Sequence, residues 1–435
     1  MKSSSSVVPT FPAGTRGAAH SARPYGPAGA GLVSAWEVWT WFFILAAVIL
    51  GITGFIDPNY KPLSYGFTAL MIAGICMSLA HFGILNDNIR YLWPALILSA
   101  IGIISFVLSR ISGELMSYGA ALVPIGFSAA ACFLPSGRVN VQWALRRFSR
   151  ALFVLIGPSL VLSLVGARPV NHQSMMIVII ALAIASVTRQ KTLMTAAIVT
   201  VVVYSLLRPS STIVVATITV IAFALLHRAK FMRAYYAGIF GGIFAIVAIN
   251  LMTMINPDVL LPILEVETVL KTEVLGGRTN SAFRLSVIRA ASHEYGQGSF
   301  LFGKFFSGSI NAPEMEYYLP WWNDDEAPIH SDFAIIIQQG GLFGITLFAG
   351  WFLGILRMFR NGARLAAVVG APEAKRFLEA ATLCCLVVAI FLSFNPVLQQ
   401  LGAMMTLYAI VWLGAMARIA LASEAEGFVE RPSGH

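Results

Sequence analysis

Apolar runs close to the roughly 20 helical residues that cross a bilayer recur along almost the whole chain. No other feature narrows the fold as much. Inside lipid, each backbone N–H and C=O must be satisfied within the segment, and for runs of this length that leaves the α-helix. About twelve runs can be counted: 36–56, 63–82, 91–109, 115–134, 151–166, 174–188, 192–207, 212–227, 235–255, 331–356, 377–394 and 401–421. Composition agrees, with 57% of residues hydrophobic and 11% charged, against roughly 25% charged in soluble domains. The expectation is an all-α polytopic membrane protein with about 12 transmembrane helices.

One long polar-to-amphipathic segment, 256–329, interrupts the pattern. It predicts a large, mostly helical loop between helices 9 and 10. The domain organisation is then a tail at 1–34, helices 1–9 within 35–255, the loop at 256–329, helices 10–12 within 330–421, and a tail at 422–435. The first tail is rich in Ser, Gly, Ala and Pro with no apolar stretch before Trp36, which reads as a disordered leader rather than a cleaved signal. Orientation follows from Lys and Arg. With Met1 on the cytoplasmic side, 20 of the 29 basic residues fall inside, and the short outside loops keep Lys61, Arg110, Arg168 and Arg208. The long loop then lies outside, in the periplasm of a bacterial cell. It carries five basic residues against ten acidic ones, a net charge of about −5. The whole-chain charge of +9 therefore reports topology, and no nucleic-acid partner is expected.

Several familiar chemistries fail on inspection. Cys76, Cys132, Cys384 and Cys385 all sit within apolar runs, and no pair has metal-ligand spacing, so neither a disulfide framework nor a zinc site is expected. Gly298-Ser-Phe-Leu-Phe-Gly303-Lys304 matches the start of a phosphate-binding loop, but Phe305 stands where a Ser or Thr would ligate magnesium. Gly238-x3-Gly242, Gly340-x3-Gly344 and Gly350-x3-Gly354 suit close helix contacts in lipid.

What remains is a set of cations on the outer side and one imidazole. Arg168 opens the loop Ala167–Gln173, and Arg208 opens Arg208-Pro209-Ser210-Ser211. Guanidinium forks give paired, charge-assisted hydrogen bonds to phosphate oxygens; the plainer alternative is that each snorkels to the lipid headgroups. Arg278, Arg284 and Arg289 lie on or beside an amphipathic helix whose apolar face carries Phe283, Val287 and Ala291, with Arg284 and Ile288 beside it. That helix suits either membrane anchoring or closure over a pyrophosphate. His330 follows Pro328 at a helix start, with Ser331 and Asp332 in the first turn. It is either an interfacial polar residue or a base for a hydroxyl proton. Asn323-Asp324-Asp325-Glu326 reads as a solvated acidic loop, with cation binding or hydroxyl deprotonation as the alternative. Trp321 and Trp322 suit the interfacial aromatic belt, or stacking on sugar rings.

This order of elements resembles the O-antigen ligase and Wzy-type polysaccharide polymerase superfamily, multi-span bacterial membrane glycosyltransferases with a large periplasmic loop before a late helix that opens with His. The family's spacing of His, ten residues, then Gly is matched by His330 and Gly341 in HSDFAIIIQQGG. Its Arg-x3-Leu element is approximated by Arg284-Leu-Ser-Val-Ile288, with Ile in place of Leu. SHEYGQGSFLFGKFF is similar to its Pro/Leu-Gly-x-Gly turn, with Gly303 in place and Phe305 where Gly is usual. Ser331 stands where the family often has Asn. Arg168 and Arg208 resemble its other phosphate-contacting arginines. The likeness spans 150–415 in topology, and its motifs cover some thirty residues.

The resemblance implies an inverting, metal-independent glycosyl transfer from an undecaprenyl-diphosphate-linked donor to a saccharide hydroxyl at the periplasmic face of the inner membrane. It implies diphosphate binding by Arg168, Arg208 and Arg284, with Arg278 and Arg289 as further candidates, and His330 positioning or deprotonating the acceptor. Catalysis would rest on His330 and Arg284. No cofactor is implied, because the lipid diphosphate belongs to the substrate. The partners implied are lipid-linked oligosaccharide, membrane lipid, a chain-length regulator and other polysaccharide-assembly proteins. An O-antigen or exopolysaccharide polymerase is favoured, and an O-antigen ligase acting on lipid A core is the alternative. A 12-helix secondary transporter or lipid-linked oligosaccharide flippase competes from another class. The absence of two matching halves and deep polar positions limited chiefly to Asn250, Gln338 and Gln339 argue against ion-coupled transport and leave a flippase open. A non-catalytic assembly subunit is a third reading.

Overall fold

The computed structural model describes residues 86–111, 119–133, 141–164, 172–207, 210–269, 281–306, 311–312, 317, 327–395, 397–398 and 401–429, and most of the apolar runs within them are helical. The long helices are α1 Ile89–Ile111, α2 Val141–Leu164, α3 His172–Thr188, α4 Lys191–Leu207, α5 Ser211–Arg228 and α6 Met232–Ile255. Two shorter ones, α7 Leu261–Val269 and α8 Ser281–Gln297, lie in the long excursion, followed by α9 Asp332–Val369, α10 Pro372–Phe394 and α11 Leu401–Val429. Extended pairing among the described residues is limited to a two-residue antiparallel pair, Asn311–Ala312 with Ala327–Pro328, and one isolated bridge. The excursion is thus helical for much of its described length.

Six helices among the described residues are long and apolar enough to cross a membrane: α1, α5, α6, α9, α10 and α11. The helices α3 and α4 are apolar but shorter. The expected spans 36–56 and 63–82 lie outside the described residues. The expected span 115–134 does not form one helix over its described part: 119–133 breaks into four short α and 3-10 turns. Backbone carbonyls freed by that break meet polar side chains. Trp412 Nε1 donates to Phe127 O at 2.8 Å and Ser99 Oγ to Val123 O at 2.9 Å. Such pairing is what makes a broken helix tolerable at membrane depth.

Burial sorts the helices into centre and rim. Every side chain is buried over residues 175–187 of α3, 377–392 of α10 and 404–418 of α11, so these stretches are enclosed all round and form the core. Four rim helices, α1, α4, α5 and α6, leave Ile104, Val202, Leu206, Ile221 and Phe244 exposed. In water so broad an apolar surface would be an aggregation hazard, whereas against lipid tails it carries no penalty. The protein is a helical, multi-pass membrane protein.

Small residues set the closest approaches. A Cβ added at Gly354 would overlap the Tyr91 carbonyl oxygen, so α1 and α9 touch backbone to backbone there. Gly238 faces the Phe223 ring of α5, and Gly242 faces Leu386 of α10. Gly340 and Gly344 differ from expectation, since the group they accommodate is the Phe306 ring from the excursion, not a helix. The long α9 ends at Gly370, whose φ of +77° suits glycine, and Pro372 opens α10 two residues later.

Candidate functional site

Three helix ends meet on one side of the bundle: the C-terminal parts of α6 and α10 and the N-terminus of α9. Above them lies α8. They enclose a cavity of about 70 Å³ lined by Asn250 and Thr253 of α6, Arg284, Val287 and Ile288 of α8, His330 and Ser331 at the α9 entrance, and Ser393 of α10. This volume admits a few water molecules or one phosphate-sized group.

Its floor is polar within an apolar bundle. Asn250 Nδ2 donates to Ile246 O at 2.9 Å and to Ser393 Oγ at 3.4 Å. Ser331 Oγ donates to Asn250 Oδ1 at 3.2 Å and also accepts from Ala334 N at 3.2 Å, as the N-cap of α9. One serine thereby starts the helix and joins it to α6. Directly behind it, Asp332 is fully buried, and its Oδ2 accepts from Val397 N at 2.5 Å and Leu398 N at 2.9 Å. That carboxylate ties the start of α9 to the turn that follows α10, which fixes the cavity's rear wall.

The expected amphipathic face of α8 is present. Val287, Ile288, Ala290 and Ala291 are buried, and Ser292 Oγ donates to Met254 O at 2.8 Å, pinning α8 to the last turn of α6. On that face Arg284 is partly buried, with its Nε shielded in the cavity wall. Phe283 meets the His330 ring edge to face, with centroids 5.9 Å apart and planes at 82°. This contact holds the imidazole at the mouth of the cavity.

Arg289 points elsewhere. Five residues beyond Arg284, it is turned by about 140° around the helix axis. It pairs with Asp258 at 2.8 Å, the two side chains 44% and 59% exposed. That is a surface ion pair worth at most about 1 kcal/mol, and not a member of the cavity lining. Of the residues expected to form a site, Arg284 and His330 come together, Arg289 does not, and Arg168, Arg208 and Arg278 lie outside the described residues. So do Trp321, Trp322 and the acidic run at 323–326.

The segment after α8 explains the glycine at the end of the His-to-Gly spacing. At Gly341 α9 leaves helical geometry, with φ +58° and ψ −155°. Residues 299–306 dock into the gap: Phe306 N donates to Gln339 O at 2.9 Å, while Phe300 O and Leu301 O accept from Leu342 N and Phe343 N at 3.0 and 2.9 Å. The break in the helix is thus filled by another stretch of backbone. Gly303 takes φ +56° against the Gln338 and Gln339 backbone, and Phe305, where glycine is usual in the resembling family, takes φ +51°. Lys304 forms an ion pair with Glu294 of α8, whose carboxylate also accepts from Gln338 Nε2. The Gly298–Lys304 stretch is therefore a docking turn.

Three contributors carry little signal in the sequence. Ser393 and Thr253 look like ordinary hydroxyls in apolar helices, and Asp332 looks like no more than a favourable charge at a helix end. Asn250 does carry a signal, as one of few amides deep in an apolar run. No family model matches the chain, and no curated protein matches it either.

Proposed function

We propose that the protein is a bacterial inner-membrane glycosyltransferase of polysaccharide assembly, with both termini cytoplasmic and its site periplasmic. It transfers glycan from an undecaprenyl-diphosphate-linked donor to a saccharide hydroxyl, as a polymerase of O-antigen or exopolysaccharide. The observation that carries this reading is the convergence of Arg284 and His330, from separate segments, on one small, largely apolar cavity with polar groups at its floor, where membrane helices end.

The chemistry follows from that pairing. As the bond between the anomeric carbon and the phosphate oxygen breaks, negative charge grows on the diphosphate. Arg284 and the N-terminal end of α9 stabilise that charge more in the transition state than in the ground state. Arg168, Arg208 and Arg278 are assigned to the same anion. His330 accepts the proton of the acceptor hydroxyl as its oxygen bonds to the anomeric carbon from the opposite face, giving inversion. The apolar helices around the cavity lower the local dielectric and strengthen both effects.

Reconstitution of the purified protein into liposomes with undecaprenyl-diphosphate-linked oligosaccharide tests this directly. Growth of lipid-linked chains supports a polymerase, and transfer only to added lipid A core identifies a ligase. Movement of the donor between leaflets with no new glycosidic bond refutes the enzyme and leaves a transporter.

A further inference from the structure

A second cavity, about four times as large, lies at the other end of α10. Its volume is about 280 Å³, and it sits between the first part of α2, the α3–α4 turn and the first turns of α10. Arg146 of α2 and Arg376 of α10 line it, with Ser149, Gln190, Glu373 and the apolar wall of Phe377. Gln190 Nε2 donates to Ser149 Oγ at 3.0 Å, which joins α2 to the α3–α4 turn. Along α10, Phe377 and Ser393 are sixteen residues apart, so the two cavities are roughly 25 Å from each other. That is close to the thickness of a hydrocarbon core, about 30 Å. The second cavity therefore belongs to the opposite interface from the candidate active site.

Its charges are poised for a ligand. Neither Arg146 nor Arg376 makes a hydrogen bond or ion pair with any other described residue, although Glu373 lines the same space. Two guanidinium groups and one carboxylate leave a net charge of +1 in the lining. A phosphodiester carries one negative charge and offers oxygens matched to guanidinium forks. Hydroxyl and amide groups on Ser149 and Gln190 suit the polar part of a headgroup, and Phe377 suits the start of an acyl chain. Basic pockets between membrane helices are known places for anionic lipid headgroups.

We infer that this cavity binds the phosphodiester headgroup of an anionic phospholipid, in the leaflet opposite the cavity of Arg284 and His330. The inference does not depend on the proposed glycosyl transfer. The test is native mass spectrometry of the full chain in detergent, with phosphatidylglycerol, phosphatidylcholine of the same acyl chains, or inorganic phosphate. The wild type should retain one phosphatidylglycerol at least tenfold more tightly than phosphatidylcholine. Arg146→Gln/Arg376→Gln should remove that preference, while Arg233→Gln, an exposed arginine away from the cavity, should keep it. Glu373→Gln, which raises the lining charge, should tighten retention, and it keeps the inference falsifiable if the double variant fails to fold. Equal retention of the two lipids by the wild type, or an unchanged preference in a folded double variant, overturns the inference. So does unchanged or weaker retention in Glu373→Gln. Displacement of phosphatidylglycerol by millimolar inorganic phosphate overturns the lipid assignment in favour of a free-phosphate site.

Discussion

Gly341→Ala puts the docking of 299–306 into the break of α9 to a quantitative test. At φ +58° and ψ −155° the backbone occupies a region open essentially to glycine, so alanine carries strain of about 1–3 kcal/mol. Its Cβ would also stand 2.6 Å from the carbonyl carbon and oxygen of Leu301 and 2.7 Å from Gly303 N. These are backbone atoms, and they yield only if the three hydrogen bonds from 300, 301 and 306 to α9 loosen, at roughly 1 kcal/mol each. The expected loss is on the order of 4 kcal/mol, concentrated in the docked segment. Limited proteolysis in detergent should show new cleavage between 299 and 306, and the thermal midpoint should fall. The control is Gly350→Ala, where the nearest atom to the new Cβ is Pro94 Cγ at 3.6 Å and the backbone is helical. That variant should be neutral or slightly stabilising. If Gly341→Ala matches Gly350→Ala in both readouts, the docking argument is wrong.

Four further outcomes are expected. Asp332→Asn gives both backbone donors, which share one carboxylate oxygen, a neutral amide oxygen in place of a charged one and should lower stability by about 2 kcal/mol in detergent unfolding; an unchanged midpoint would remove Asp332 as the tie between α9 and the turn after α10. Gly354→Ala drives a methyl into the Tyr91 carbonyl and should cost roughly 3 kcal/mol, read as a lowered midpoint, since the neighbour is backbone. His330→Gln should reduce chain growth by about 10²–10⁴-fold with the fold retained, and a near-normal rate would refute the assignment of the proton acceptor. Arg284→Gln should cost about 10²–10³-fold in the same assay while Arg289→Gln stays within about threefold, because Arg289 faces a surface carboxylate; the reverse order would show that the cavity is not where the diphosphate binds.

Much of this arrangement is legible in the sequence, and the parts that are not share a cause. The apolar face of α8 follows from its 3.6-residue period, which places Val287, Ala291 and the neighbouring Arg284 together. The same period separates Arg289 from Arg284, yet both qualify by residue type as diphosphate ligands, because Asp258, the partner that engages Arg289, lies 31 residues earlier in the chain. Gly340-x3-Gly344 has the spacing of a helix contact, and spacing says nothing about whether a helix or a phenylalanine ring fills the notch. The expected span over 115–134 rests on hydrophobicity, which counts transfer out of water. It does not report whether a backbone break there can be met by Trp412 and Ser99 from other helices.

The linear chain by itself determined that this is a helical, multi-pass membrane protein with one long polar excursion, and it marked Arg284 and His330. Transfer of apolar side chains and satisfaction of helical hydrogen bonds are properties of a segment, so they can be summed along the chain. The tertiary structure decided that Arg284 and not Arg289 lines the cavity, what fills the break at Gly341, and that Asp332 anchors the turn after α10. It also decided that two opposed cavities share one helix. These depend on distances between segments far apart in sequence, where a partner's backbone, and not the residue's own chemistry, sets the outcome.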